Sequence, residues 1–402
     1  MKNFSDFIDT TLRDGQKSPL LYDSRKYYFT VNEKKQILKA LIELGVKHFE
    51  FFSPGSTSFE HRDFSKLKKY TDEITTKKIM FLASCKCTEE DVENCVKADF
   101  NGVNLHLGLF EMNNLLNEGD NEQDIEAIIS NIRKKYPRLY IRFSVEDFFR
   151  ISLSSVLKTY SKVYKYVDTL CIADSTGVAT PKEVKASLKK LKNEFPRVNI
   201  EGHFHNDRGL AVENAISAVE AGCEYIDSSI WGLAERSGIS SVTAILLNLF
   251  HKDEKISNDY NIELCYPMNV LMGSILDMQV PYNEPVSLTN RTHIAGFRNE
   301  RARDMSKIYE ANDLDKFGVT REELLFGPLT SWNFVYYYLK EVENYVITPE
   351  IAKDLTKIFR KRIKKFGRGS KPEQILDAIV GEYSLEKTNI PYEYEQRRVE
   401  NL

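Results

Sequence analysis

Hydrophobic and polar positions along the first 235 residues follow one rhythm: a short apolar run, then an amphipathic stretch at helical spacing. Eight such runs read as strands: Phe7–Leu12, Val46–Ser53, Lys78–Ser84, Gly102–Gly108, Leu139–Asp147, Thr169–Ser175, Asn199–Asp207 and Glu224–Gly232. The helices between them carry their own punctuation. Asn32–Leu44 stops at Gly45, Pro181–Asn193 begins behind Thr180, and Leu210–Ala221 ends at Gly222. Eight strand–helix units in about 250 residues predict an α/β fold, the (β/α)8 TIM barrel. An open doubly wound sheet is the alternative, but no Gly-x-Gly-x-x-Gly follows the first strand. Past residue 250 the rhythm changes. His251–Val280 reads as helices, Pro281–Gly296 as irregular, and Thr348–Tyr383 as helical again. The expected organisation is a catalytic barrel over residues 1–275 and a mostly helical C-terminal subdomain or lid over 276–402.

Composition narrows the partners. The chain has 402 residues, 42% hydrophobic and 29% charged, with a formal net charge of −3. Neither a basic stripe nor a polybasic run argues for nucleic acid, and no long apolar segment argues for a membrane. The N-terminal stretch reads without a signal-peptide core, and the six cysteines form no Cys-x-x-Cys. Reduced thiols and a cytoplasmic location are expected.

The chemistry concentrates where such barrels place it, at the C-terminal ends of the strands. Strand seven carries His203-Phe204-His205, and alternation along a strand points both imidazoles the same way. Strand one is expected to end in Arg13-Asp14, strand two offers Glu50, strand five offers Arg142, Ser144 and Glu146, and strand six ends in Asp174-Ser175-Thr176. Each has a plain structural alternative: a rim ion pair for Arg13 and Asp14, a partner for a barrel lysine for Glu50, a helix cap for Ser175. Together they are hard to bury in one barrel mouth without a ligand or metal to satisfy them. Asp14 with His203 and His205 makes a two-histidine, one-carboxylate set suited to a divalent ion (zinc, manganese or magnesium) with open positions. Arg13 beside it would stabilise developing oxyanion charge, and Glu146 is placed for proton transfer.

These motifs also resemble a known group. Asp9-Thr10-Thr11-Leu12-Arg13-Asp14-Gly15, followed downstream by His203-Phe204-His205-Asn206-Asp207, is similar to the metal-dependent acyltransferase and lyase superfamily of 2-isopropylmalate synthase, homocitrate synthase and hydroxymethylglutaryl-CoA lyase. Homocitrate synthase-like proteins are the nearest likeness. Gly232-Leu233-Ala234-Glu235-Arg236-Ser237-Gly238, Thr292-His293-Ile294-Ala295-Gly296 and Leu329-Thr330-Ser331-Trp332-Asn333 carry it further along the chain. The resemblance implies a Claisen-type condensation in which acetyl-CoA, as co-substrate, adds to a 2-oxo acid at a divalent metal. By that likeness Asp14, His203 and His205 hold the metal and Arg13 stabilises the oxyanion. Arg142, Ser144 and Ser175 contact the oxo acid, Glu50 is expected among the substrate contacts as well, and Glu146 and Tyr309 serve proton transfer. A homodimer is implied as well.

The departures bear on the substrate. Asp14 stands where homocitrate synthases of the lysine pathway usually carry Glu. The segment Glu111-Met112-Asn113-Asn114-Leu115-Leu116 lacks the arginine expected to grip the distal carboxylate of 2-oxoglutarate, with Lys86 as a candidate substitute. The histidine expected five residues beyond His293 is replaced by Arg298, which stays protonated and cannot act as a base. Three readings follow. An altered-substrate synthase, with substrate other than 2-oxoglutarate, fits best. The others are a metal-dependent carbon–carbon lyase or aldolase on the same site, and a catalytically weakened binding homologue.

Overall fold

The computed structural model describes residues 4–108, 125–294, 313–321, 323–366 and 371–387. Eight parallel strands close into a barrel in chain order: β1 (Asp6–Asp9), β2 (His48–Phe52), β3 (Met80–Lys86), β4 (Gly102–Leu107), β5 (Tyr140–Val145), β6 (Thr169–Asp174), β7 (Asn199–Phe204) and β8 (Tyr225–Ser228). The closing seam pairs Phe7 with Ile226 and Asp9 with Ser228. All eight expected strands are present.

Local chemistry sets the helix boundaries. Thr30 and Glu33 form a reciprocal capping box ahead of helix Val31–Leu44, and Thr180 and Glu183 do the same for Pro181–Glu194. Each hydroxyl takes one orphan N–H of the first turn, and each glutamate returns to the cap N–H. Helix Val31–Leu44 then stops at Gly45, whose φ of 120° suits a residue without Cβ. Its buried face is Ile37, Leu38, Leu41, Ile42 and Leu44, the stripe that helical spacing demands. Phe64, on helix Ser58–Ile74, stacks on Phe100 at 3.8 Å between ring centroids and meets Phe51 of β2 edge-on.

The chain divides into two compact units, Met1–Val286 with Lys316–Gly318, and Ser287–Asp315 with Val319–Leu402. The expected boundary at residue 275 falls inside helix Cys265–Leu276. The segment up to Val286 stays with the barrel because buried Glu284 accepts from Ser241 Oγ and Thr243 Oγ1, both at 2.8 Å. Helices Trp332–Tyr337, Pro349–Phe366 and Pro372–Glu382 of the second unit share a core that includes Phe334, Leu355, Phe359, Leu376 and Ile379. That unit also holds a two-stranded parallel sheet, β9 (Thr292–Ile294) with β10 (Glu323–Leu325), which the sequence pattern did not announce. No described helix is long and apolar enough to cross a membrane.

Candidate active site

β1 ends earlier than the pattern predicts. The Asp9 side chain accepts from the backbone N–H and the hydroxyl of Thr11, both at 3.0 Å, and this Asx turn takes the chain out of the sheet. Arg13 therefore lies in the loop and Asp14 opens a short 3-10 helix, Asp14–Lys17. That loop delivers both side chains to the barrel mouth, where His203 and His205 arrive from the end of β7.

The three expected metal ligands come together. One ligand atom from each of Asp14, His203 and His205 lies within 4.8 Å of the others, and all three residues are buried. His203 Nε2 is 3.8 Å from Asp14 Oδ2, and the two imidazole rings sit 5.1 Å apart at 62°. The residues fit a divalent ion on two counts. His205 Nδ1 is buried with no hydrogen-bond partner among the described residues, a cost that a native site rarely carries without a ligand. Two of the three donors are also in a state to bind. Burial and the neighbouring His203 push the His205 imidazole down to about 3, so it is neutral at neutral pH. For Asp14, burial raises the carboxyl, but Arg13, His203 and Lys17 outweigh it and keep it ionised.

Beneath these ligands lies a buried ion-pair network. Arg13 Nε donates to Glu50 Oε2 at 2.7 Å, and its other nitrogens reach Glu50 and Asp14. Glu50 Oε1 accepts from Arg142 Nη1 at 3.0 Å and from Asn104 Nδ2 at 2.8 Å. Arg142 Nε donates to Glu201 at 2.6 Å and Nη2 to Asp227 at 3.2 Å. Burial would push Glu50 up, yet two guanidiniums hold its carboxyl far below the usual carboxylate range. Three carboxylates crowd Arg142. Burial and the adjacent Asp227 push Glu201 up to about 8 against the pull of Arg142.

Two expectations are corrected by this network. Arg142 was expected to contact the oxo acid, but its side chain is fully buried and all three guanidinium nitrogens are engaged by carboxylates. Glu50 was expected among the substrate contacts. It is buried too, and its two oxygens are taken by Thr10, Arg13, Asn104 and Arg142. Both orient other groups.

The remaining residues line the rim. Ser144 is buried and donates to Asn104 Oδ1 at 2.7 Å. Glu146 follows β5 with an exposed side chain, and Lys86 is exposed at the end of β3. Ser175 Oγ accepts from the Asp147 N–H at 2.9 Å, and Thr176 donates to the Asp147 carboxylate. The loops after β6 and β7 approach so closely that a Cβ on Gly177, at φ +63°, would sit 2.7 Å from the Asp207 nitrogen. Arg236 ties the same loops to the one after β8, reaching Asp207 at 2.7 Å and the Ser175 carbonyl at 2.6 Å. Arg298, Tyr309 and Glu111–Leu116 lie outside the described residues.

Sequence reasoning missed Glu201, Asp227 and Asn104. Glu201 stood two residues before His203 and thus on its face of the strand. Asp227 was an acid within the apolar eighth strand. Both signals were present and unused.

Comparison with known proteins agrees with this geometry. Residues 5–269 match the family model described as HMGL-like. The mitochondrial homocitrate synthase of Schizosaccharomyces pombe is 31% identical over 373 residues, covering 91% of this chain and 84% of its own. The 2-isopropylmalate synthase of Buchnera aphidicola from Cinara cedri is 31% identical over 328 residues, 78% of this chain and 61% of its own. The structure of the HMG-CoA lyase from Bacillus subtilis shares the fold, with a TM-score of 0.57 at 19% identity over 70% of this chain and 96% of that one. With a family match over most of the barrel and a relative aligned along nearly the whole chain, this protein belongs to the HMGL-like family.

Proposed function

We propose that the chain is an acyltransferase that condenses acetyl-CoA with a 2-oxo acid. The acetyl methyl loses a proton, its carbon adds to the keto carbon of the oxo acid, and water cleaves the thioester. The products are free CoA and a 2-hydroxy-2-(carboxymethyl) acid. The observation that carries this reading is the meeting of Asp14, His203 and His205 with Arg13 at one barrel mouth, in a chain similar to homocitrate synthases along 91% of its length.

Asp14, His203 and His205 would hold a divalent ion. When bound, that ion supplies Lewis-acid polarisation of the keto carbonyl. Arg13, pinned by Glu50, is preorganised to meet the negative charge that develops on the keto oxygen, so its fixed positive charge needs no reorganisation during reaction. Glu146, exposed beside the mouth, is the group we assign to the methyl proton, with Tyr309 and Arg298 as its helpers. Ser144, Ser175 and Lys86 are the groups left to contact the oxo acid. The missing arginine in Glu111–Leu116 favours an oxo acid other than 2-oxoglutarate. On the same likeness we assign the working form as a homodimer.

The test is CoA release, followed with a thiol reagent, in a divalent-ion-replete assay against a panel of 2-oxo acids. Release that requires one of them supports the proposal. Release independent of every oxo acid, or no release at all, refutes it.

A further inference from the structure

The ion pairs at the mouth close into a ring. Asp14 meets Arg13, Arg13 meets Glu50, Glu50 meets Arg142 at 3.0 Å, and Arg142 meets Asp227 at 3.2 Å. Asp227 Oδ2 then meets His203 Nδ1 at 2.8 Å, and His203 Nε2 returns to Asp14 at 3.8 Å. Asp227 is the one member of this ring that touches a histidine on the side away from the other ligands.

We propose that Asp227 is a positioning residue for divalent-cation binding: it fixes His203 in the tautomer that carries its proton on Nδ1 and presents the Nε2 lone pair toward Asp14 and His205. This rests on the metal-site reading given above. A neutral imidazole has one donor nitrogen and one acceptor, and the partner of the first decides the second. A carboxylate can only accept, so Nδ1 must donate. Without Asp227 the nearest acid to His203 is Asp14, across the site. A proton on Nε2 would then point at Asp14, and the lone pair needed for a cation would face into the barrel.

The carboxylate is itself held against rotation. Its strand neighbour Ile226 pairs with Gly202, so β8 runs alongside β7 in the register that sets Asp227 beside His203. The Asp227 side chain is buried, with Oδ1 on Arg142 Nη2 and Oδ2 on His203. Its backbone carbonyl accepts from Ser240 Oγ at 3.1 Å.

Two measurements on the full-length chain test this. In the first, the affinity for Mn²⁺ is measured by titration of metal-stripped wild type, Asp227→Asn and Glu201→Gln. An asparagine keeps the shape but can offer an N–H to Nδ1 and so favours the wrong tautomer. Asp227→Asn is expected to weaken Mn²⁺ binding by about 10- to 100-fold. Glu201→Gln, which alters Arg142 without touching His203, is expected to bind within about threefold of wild type, a ratio worth less than 1 kcal/mol. Unchanged affinity in Asp227→Asn, or an equal loss in Glu201→Gln, overturns the proposal while leaving the metal site standing. A wild-type chain that binds no Mn²⁺ overturns the metal-site reading and the proposal with it. The second measurement needs no substitution. With the seven histidines ¹⁵N-labelled and the metal removed, the ring nitrogens of His203 are read by NMR near pH 9, above the ordinary histidine range. A proton on Nδ1 is expected, and a proton on Nε2 overturns the assignment.

Discussion

Asp9→Asn isolates one buried carboxyl and predicts a pH dependence that can be worked from the structure. Asp9 is buried at the end of β1, where it holds the Thr11 backbone and hydroxyl in the turn leading to Arg13 and Asp14. Burial pushes its carboxyl from the ordinary 3.8 up to about 7, against the pull of the Thr11 bonds. At pH 5 the folded chain therefore keeps a proton that the unfolded chain has released. The stabilisation this gives is complete below pH 3.8, falls as pH rises toward about 7, and is gone above that. At about 1.36 kcal/mol per pH unit, wild type loses roughly 2.6 kcal/mol from this group between about pH 5 and about pH 8. Asparagine keeps an oxygen for the Thr11 N–H and has no proton to lose. The variant should gain about 2.6 kcal/mol on wild type across that interval, whatever its offset at pH 5. Urea unfolding at each pH reads the difference. Trp231 lies in the same compact unit as Asp9, and the other tryptophan, Trp332, lies in the second unit. A Trp332→Phe background thus makes fluorescence report the barrel alone, which respects the limits of a single-transition analysis in a two-unit chain. A variant stability, taken relative to wild type, that does not change with pH, or that falls as pH rises, would refute the assignment of a protonated Asp9.

His203→Ala should remove most of the bound divalent metal from the purified chain, as measured by elemental analysis. Metal content equal to wild type would rule out the assigned ligand set. Arg298→His is expected to raise the rate of acetyl-CoA condensation if Arg298 only stands in for a proton-transfer group. A fall in rate together with a higher KM for the oxo acid would instead assign Arg298 to substrate binding.

The eight strands were legible because each is a short apolar run bounded by turn residues, and a barrel repeats that unit without interruption. Their ends were less so. Nothing in the periodicity of Phe7–Leu12 reveals that the Asp9 side chain competes with the sheet for the Thr11 N–H. The metal triad was legible as well, since His203 and His205 share a face by alternation and Asp14 follows the first strand. Depth within the barrel was not. Alternation places Arg142 on the inner face but does not say that it lies below the mouth among Glu50, Glu201 and Asp227 rather than open to a ligand. Charge order explains the error. Arg142 and Glu50 each looked like a lone polar group seeking a substrate, when each had found the other across 92 positions of chain. The β9–β10 pairing escaped for a different reason: three-residue strands carry too little pattern to register.

The central claim is that carbon–carbon bond formation between acetyl-CoA and an oxo acid takes place at this mouth. Acetyl-CoA bearing three deuterons on its methyl group tests it, with products read by mass spectrometry. Condensation must remove one deuteron before the new bond forms, so the account predicts a hydroxy acid that retains two. Trideuterated acetate as the only labelled product would show simple thioester hydrolysis and contradict it.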